Sequence, residues 1–307
     1  MTRMLAVVLV VAGVVVATAS ASARPSTPDE LSLPGAAFYP ESVTVAPSGA
    51  LYVSSLVTGE IARFAPGSSE PETFVAAGVN VGTAGVMVDA DRDVLWACAV
   101  DLSFQTESAL RAFDLQTGAL VASYPMPDGG VCADIVLARG AVYVTDTVGG
   151  RIVRLTTERD SAAGGTLAIW SADPILAGGA SLKINGIAFD GHRTLYATNY
   201  STGELFAVRI ARDGSAEPAE LIVLNTAMTN PDGIRWRGGY LYVAENPNGL
   251  SRIDPRAGTR TLIDDSLDQP TSLAFLGGDI WITEGQVLRL QAGQPPNLPF
   301  KVVRRER

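Results

Sequence analysis

Three residues with oxygen-bearing side chains, Glu41, Asn185 and Asp232, share one position in a sequence pattern that repeats along the chain. Carboxylate and amide oxygens are the ligands that hard divalent cations such as Ca²⁺, Mg²⁺ and Mn²⁺ prefer. A single Asp or Asn at a strand start is more often a turn residue or a solvated side chain. Three such residues in one structural position favour a cation site.

The pattern that carries these residues is a pair of short apolar strands joined by a tight turn, and it occurs six times. Each first strand has an anchoring apolar residue. We call the set of six residues that lie two positions before these anchors the column. The column consists of Glu41, Ala84, Ala133, Asn185, Asp232 and Thr271. The second strands carry an aromatic residue at the same place: Tyr52, Trp96, Tyr143, Tyr196, Tyr242 and Trp281. We expect these aromatic side chains to pack between neighbouring repeats.

The repeats are spaced by about 46 residues, which is typical of stacked blades of three or four antiparallel strands. The sequence therefore predicts an all-β fold, a six-bladed β-propeller that fills a single domain over residues 35–307. Residues 287–290 are predicted as the third strand of the last blade. The ring is expected to close with a strand near Leu31 or with one over residues 300–303, and the sequence leaves both open.

The starts of the first strands and the ends of the second strands share one face of a propeller, here called the mouth. Polar residues at the second-strand ends are therefore predicted to bind substrate hydroxyl groups at the rim: Asp146, Asn199, Glu245 and Glu284. Solvated side chains on an acidic protein are the alternative interpretation. The single histidine, His192, falls in a turn at the opposite face, which argues against histidine-assisted hydrolysis and against a Ser/His/Asp triad.

Three segments around the column resemble the motifs of the SMP-30/gluconolactonase/LRE-like superfamily: residues 37–43 (AFYPESV), 183–190 (KINGIAFD) and 230–234 (NPDGI). The resemblance covers about residues 38–290. Members of this superfamily are six-bladed propellers related to paraoxonase-type lactonases and strictosidine synthase-like proteins. The resemblance implies a catalytic divalent metal held by Glu41, Asn185 and Asp232, with Ca²⁺ as the first choice and Mg²⁺, Mn²⁺ or Zn²⁺ as alternatives. It also implies that Asp232, beside the metal, is the catalytic base.

The chain departs from the family pattern at the third column position. The family commonly has Asn followed by Asp there, whereas this chain has Ala133 followed by Asp134. Alanine can neither bind a metal nor form a side-chain hydrogen bond with a substrate. Asp134 is a candidate substitute that points differently, and it is included among the predicted substrate-binding residues.

The function that the resemblance implies is an exported, divalent-metal-dependent hydrolase that opens a lactone or a small ester. The metal would polarise the carbonyl group, and a carboxylate would assist the attack of water. The alternative is a non-catalytic propeller that uses the same mouth to bind a small ligand or a protein partner, and Ala133 favours it. Lyase or condensation chemistry on the same fold is a third reading.

The N-terminal segment, residues 1–23, has the features of a secretory signal peptide. Arg3 is its only charge, an apolar stretch covers residues 5–17, and residues 21–23 form an A-x-A cleavage pattern. A membrane anchor is the alternative, but it needs about 20 apolar residues. Residues 24–34 are predicted to be an extended Pro/Ser tether, and the mature protein is expected to be secreted or periplasmic, without a membrane segment.

The formal net charge of −9 makes nucleic acid and anionic membranes poor partners. A small lactone-like or sugar-like molecule is the expected partner, and we expect a monomer. The chain has two cysteines, Cys98 and Cys132. In an exported protein they can form a disulfide, and two buried free thiols are the alternative.

Overall fold

The computed structural model describes residues 28–158, 161–179 and 182–306, and within them the chain forms six antiparallel sheets of four strands each. Blades 1 to 3 consist of β2 (Pro40–Val45), β3 (Leu51–Ser55), β4 (Ile61–Phe64) and β5 (Pro71–Val75); β6 (Gly82–Asp89), β7 (Val94–Val100), β8 (Ala109–Asp114) and β9 (Leu120–Pro125); and β10 (Cys132–Ala138), β11 (Ala141–Asp146), β12 (Arg151–Thr156) and β13 (Thr166–Ser171).

Blades 4 to 6 follow in the same order. They consist of β14 (Ile184–Phe189), β15 (Thr194–Asn199), β16 (Leu205–Arg209) and β17 (Glu220–Ile222); β18 (Pro231–Arg237), β19 (Tyr240–Glu245), β20 (Gly249–Asp254) and β21 (Thr259–Asp264); and β22 (Pro270–Leu276), β23 (Asp279–Glu284), β24 (Lys301–Glu306) and β1 (Glu30–Ser32). The inner strands contact one another in sequence, and β22 contacts β2, so the blades form a closed ring. The prediction of an all-β, six-bladed propeller is confirmed.

The ring closes with both of the candidate segments. Strand β24 is the third strand of blade 6, and β1 pairs antiparallel with it as the outermost strand. Leu31 on β1 is 1% exposed and packs with Phe300 in the cluster between blades 6 and 1. The segment predicted as a tether therefore contributes a strand, whereas the predicted signal peptide lies outside the described residues.

The third strand predicted over residues 287–290 is wrong, because these residues belong to the helix α1 (Val287–Gln291). The side-chain oxygen of Gln269 accepts hydrogen bonds from the backbone N–H groups of Leu288 and Arg289 at the start of this helix. The apolar spacing of Val287 and Leu290 suits one helical turn as well as a short strand. No helix among the described residues is long and apolar enough to span a membrane.

The aromatic residues of the second strands pack between blades, as predicted. Tyr52 of blade 1 lies in a buried cluster with Val86 and Leu95 of blade 2, and Trp96 lies with Val142 of blade 3. The other four belong to clusters of the same kind: Tyr143, Tyr196, Tyr242 and Trp281. Each cluster combines two neighbouring blades, so the hydrophobic core is distributed around the ring.

Every inner strand contains a one-residue bulge at its start, and the column residue lies in it. In blade 1, for example, the register passes from Pro40 opposite Ser55 to Val43 opposite Val53, so β2 contributes one residue more than β3. The same shift occurs in the other five blades. A bulge interrupts the alternation of side chains and redirects the extra residue. Here it directs five of the six column side chains towards the mouth.

Hydroxyl groups on the second strands connect four of the six bulges to the neighbouring blade. They donate hydrogen bonds to backbone carbonyl oxygens of the next column residue: Ser54 to Ala84 at 2.7 Å, Thr145 to Asn185 at 2.5 Å, Thr198 to Asp232 at 3.4 Å and Thr283 to Glu41 at 3.3 Å. Cys98 has the equivalent position in blade 2 and forms a disulfide with Cys132 of blade 3. The two cysteines are therefore paired, and a covalent link replaces the hydroxyl bridge between these blades.

The closure of the ring by β1 generates a stability prediction. Leu31→Ala removes buried methyl groups between blades 6 and 1 and is expected to lower the free energy of unfolding by about 2–5 kcal/mol. Leu298→Ala is a matched control because Leu298 is 53% exposed. Chemical denaturation measures both variants, and equal stabilities would contradict the closure by β1.

Candidate functional site

A cavity of about 160 Å³ lies at the mouth of the ring, and five of the six column residues line it: Glu41, Ala84, Ala133, Asn185 and Asp232. The sixth, Thr271, instead donates a hydrogen bond to the carbonyl oxygen of Pro40 at 3.0 Å. An apolar cavity of about 150 Å³ accommodates a benzene ring. The site is therefore large enough for one small ring.

The polar floor of the cavity is formed by the three residues that were predicted to bind a cation. Asn185 Nδ2 donates a hydrogen bond to Asp232 Oδ1 at 2.7 Å. Glu41 lines the same cavity, and its Oε2 atom is buried without a hydrogen-bond partner among the described residues. A buried carboxylate oxygen without a donor is costly and usually indicates a missing ligand, water or ion.

The two carboxyl groups of the floor have strongly raised pKa values. Burial is the main cause of the raised pKa of Glu41, followed by the charges of Asp232 and Asp134, while Arg235 acts in the opposite direction. Burial and the charge of Asp134 raise the pKa of Asp232, and the hydrogen bond from Asn185 lowers it. The negative charges of this floor therefore repel one another in a setting that water screens weakly.

Asp134 lies beside this floor but is occupied by the protein itself. Its Oδ1 accepts from the N–H of Ile135 at 2.9 Å, and its Oδ2 accepts from the N–H of Ile187 at 3.1 Å and from Arg235 Nη1 at 2.8 Å. It does not line the cavity. We therefore interpret Asp134 as a residue that joins blades 3, 4 and 5, in place of the predicted substrate-binding role.

The net negative charge of the residues around the floor favours the binding of a divalent cation. Glu41, Asp134 and Asp232 are three buried carboxylates, and Arg235 is the guanidinium that contacts one of them. With all of them ionised, the formal balance of this group is two negative charges. The described residues contain no cluster of three or more His, Cys, Asp or Glu side chains with metal-site spacing. The candidate donors are two carboxylates and the amide oxygen of Asn185, which accepts no hydrogen bond within the described chain.

Two hydroxyl groups that the sequence interpretation did not single out also face this cavity. Tyr200 Oη and Thr147 Oγ1 are buried without hydrogen-bond partners among the described residues, and both residues line the cavity. Burial and the charge of Asp232 raise the pKa of Tyr200, so its phenol keeps the proton. Tyr200 directly follows the second strand of blade 4, and that position was its only signal in the sequence.

The predicted rim residues have structural roles instead. Asp146 accepts from the N–H of Val131 at 2.9 Å, Glu245 from that of Thr229 at 2.8 Å and Glu284 from that of Asp268 at 3.0 Å. Asn199 accepts from the N–H groups of Ser201 and Thr202. Each of the three carboxylates anchors the loop that enters the inner strand of its own blade. None of the four lines the cavity.

Additional contacts support the structural reading for two of these carboxylates. Asp146 is fully buried and pairs with Arg151 at 2.7 Å, and Glu245 pairs with Arg260 at 2.7 Å. Such paired carboxylates are costly to redirect towards a ligand, because the cationic partner would be left behind. His192 is exposed, and its position in the turn between β14 and β15 agrees with the sequence prediction.

No protein-family model matches the chain, and a search of curated proteins finds no match. Solved structures do share its architecture. A catalytically inactive histidine-to-alanine variant of virginiamycin B lyase from Staphylococcus aureus superposes with a TM-score of 0.60 and 18% identity, over 83% of this chain and 80% of that one.

Two further structures extend the comparison over more of the chain. The PQQ-bound aldose sugar dehydrogenase from Streptomyces coelicolor has a TM-score of 0.62 and 15% identity, over 92% of this chain and 99% of that one. A luciferin-regenerating enzyme has a TM-score of 0.63 and 11% identity, over 90% and 93%. Identities this low establish a shared propeller fold, and the resemblance to the gluconolactonase family stays a prediction.

Proposed function

We propose that this chain is an exported hydrolase that depends on a divalent cation and opens a lactone or a small ester. The observation that carries the proposal is the convergence of Glu41, Asn185 and Asp232 in one cavity, with a buried Glu41 oxygen that has no donor. The propeller neighbours include enzymes, so catalysis at this mouth is in keeping with the fold.

The chemistry of the donors fits a hard cation. Two carboxylates and one amide oxygen suit Ca²⁺, and Mg²⁺, Mn²⁺ or Zn²⁺ are the alternatives. Two positive charges would balance the two excess negative charges of the Glu41, Asp134, Asp232 and Arg235 group. When bound, such a cation supplies Lewis-acid polarisation of a substrate carbonyl.

The remaining roles fall to side chains of this cavity. Asp232 is the proposed base that takes a proton from water while the water oxygen bonds to the carbonyl carbon. The bond from this carbon to the ring or ester oxygen then breaks, and that oxygen receives the proton as a hydroxyl group. Tyr200, which keeps its proton, is the proposed hydrogen-bond donor to the carbonyl oxygen as negative charge develops there.

Lyase chemistry that relies on a histidine has less support here. The lyase neighbour is inactive when a histidine is replaced, whereas His192 of this chain is exposed in a turn away from the cavity. The second candidate is a propeller that binds a small ligand or a protein without catalysis. Ala133 favours it, because the cavity lacks a polar side chain at the third column position.

Cation binding is tested with the proteins Glu41→Gln and Asp232→Asn. Calorimetric titration with Ca²⁺ is expected to show binding to the original protein and a loss of at least about tenfold in affinity in both variants, since each removes a ligand charge. Asp91→Asn removes an exposed carboxylate from a turn and is the matched control. A protein that retains no metal after loading with any of the four cations would overturn the site.

Catalysis is tested by following acid release from lactones and small esters in the presence of each cation. Asp232→Asn is expected to lower kcat/KM by about 10²-fold or more, because it removes the proposed base. Asp91→Asn is expected to leave kcat/KM unchanged. Cation binding at Glu41, Asn185 and Asp232 without turnover of any lactone or ester would favour the non-catalytic alternative.

The raised pKa values of Glu41 and Asp232 predict how the metal-free protein responds to pH. Between the ordinary carboxyl pKa and the raised one, the folded state binds more protons than the unfolded state, so stability falls as pH rises. The slope is at most about 1.4 kcal/mol per pH unit for each proton. Urea denaturation in chelator, from about pH 5 to pH 7, is expected to show a smaller slope for Asp232→Asn than for Asp91→Asn. Equal slopes would contradict the assignment.

A further inference from the structure

The cavity is lined mostly by apolar side chains, and its polar column residues are confined to one side. Blades 1, 4 and 5 contribute Glu41, Asn185 and Asp232, whereas the column residues of blades 2 and 3 are Ala84 and Ala133. The space that these alanines leave is continued outwards by apolar side chains from the same two blades: Val100, Leu102, Phe104, Val131 and Val148. A ligand held at the polar floor therefore meets an apolar wall on the side of blades 2 and 3.

The outer part of this wall is a loop that displays two large apolar side chains. Leu102 is 55% exposed and Phe104 is 69% exposed, and both line the cavity. Phe104 has a φ of 56°, in the left-handed region that bulky residues avoid. Such a conformation costs about 1 kcal/mol or more. The loop therefore places an aromatic ring at the mouth although the Phe104 backbone is strained and its side chain is exposed to water.

The loop is also built to hold this conformation. The carboxylate of Asp101 accepts hydrogen bonds from the backbone N–H groups of Ser103, Gln105 and Thr106 at 2.8, 3.1 and 2.9 Å. The hydrogen bond from the Ser103 hydroxyl, followed by those from the N–H groups of Ser103 and Thr106, lowers the pKa of Asp101 to about 2, so the group stays ionised. Leu102 and Phe104 are thus presented by a loop with an internal anchor, which reduces the entropy lost when a ligand packs on them.

A polyhydroxylated ligand would form few hydrogen bonds in this cavity. The carboxylates predicted to bind sugar hydroxyls, Asp146 and Glu245 among them, are occupied by backbone N–H groups and arginines. A hydroxyl group buried against Val100, Val131 and Val148 would lose its water without gaining a hydrogen bond, which is costly. On this side of the cavity, Thr147 and Asp101 are lining residues with polar side chains, and the Asp101 carboxylate already accepts hydrogen bonds from its own loop. An alkyl or aryl group buried there instead gains from leaving water.

We propose that the site is specific for lactones or esters that carry an apolar alkyl or aryl substituent, in preference to polyhydroxylated sugar lactones. This proposal rests on the hydrolase function proposed above and names its substrate class. The reacting ring or ester group lies at the floor, with its carbonyl oxygen towards Tyr200. The substituent extends along Val100 and Val148 to Leu102 and Phe104.

The first test compares hydrolysis of γ-butyrolactone, its 4-alkyl derivatives of increasing chain length, and glucono-1,5-lactone. Each methylene group that reaches the wall is expected to raise kcat/KM about fourfold. The series should level off once the chain extends beyond Phe104. A preference for glucono-1,5-lactone, or a kcat/KM that does not change with chain length, would overturn the proposed specificity.

The second test measures binding without hydrolysis. The corresponding alkyl γ-lactams are stable analogues, and calorimetric titration of the Ca²⁺-loaded and metal-free protein is expected to show affinity that rises with chain length. This separates the two proposals. Lactam binding that depends on chain length without turnover of any lactone retains the apolar specificity and refutes the hydrolase. Turnover of lactones without chain-length dependence supports the hydrolase and refutes the apolar specificity. The absence of binding of any lactam also refutes the apolar specificity.

The third test uses substitutions of residues in the apolar wall. Phe104→Asn keeps a residue type that tolerates the left-handed conformation, and Leu102→Asn changes the second side chain. Both are expected to lower the ratio of kcat/KM for the longest lactone to kcat/KM for γ-butyrolactone by about tenfold or more. Val223→Asn is the control, because Val223 is 77% exposed and does not line the cavity. Equal chain-length dependence in Phe104→Asn and Val223→Asn would overturn the proposal.

Discussion

The one-residue bulge at the start of every inner strand is the constraint on which the rest of the site depends. Column residues lie 39–52 positions apart in sequence, yet the repeated bulge brings five of them to one cavity. Neighbouring blades must approach closely for this to happen. A Cβ at Gly186, directly after Asn185, would lie 2.2 Å from the Asp232 carbonyl oxygen. The close approach therefore requires glycine directly after the column residue in blades 2, 4 and 5, at Gly85, Gly186 and Gly233, but it leaves the column side chain itself free to vary.

The same backbone arrangement keeps the charged floor from relaxing. Two buried carboxyl groups that repel each other would normally move apart or towards water. Here, the carbonyl groups of Glu41, Asn185 and Asp232 are held by hydroxyl groups of the preceding blades. The disulfide between Cys98 and Cys132 provides the corresponding link on the apolar side. The backbone positions of the three floor residues are thus fixed, and a ligand of opposite charge would relieve the repulsion between the ionised carboxylates.

The repeating features of the fold were predictable from sequence, and the loop features were not. The aromatic residues and the column recur at a fixed place, so their positions followed from periodicity alone. Asp146, Glu245 and Glu284 also recur, but their partners are N–H groups of loops, and no pattern in the sequence shows where a loop turns back. The apolar pattern at Val287 and Leu290 was compatible with strand and helix, and the side chain of Gln269 stabilises the helix. Leu102 and Phe104 belong to a connection without periodicity.

Ala133 has a different meaning in the structure from the one that its sequence position suggests. In the sequence, Ala133 departs from the family pattern and indicates the loss of a polar group. In the structure, it lines the cavity together with Ala84 and the apolar wall. The polar half of the site depends on the column, and the apolar half depends on connections that follow second strands. Because these two halves come from different blades, loop changes can alter the ligand that fits without disturbing the carboxylates. Alanine at the third position is then what a site for an apolar substituent requires, since a side chain with unsatisfied hydrogen-bonding groups would be buried against that substituent at a cost.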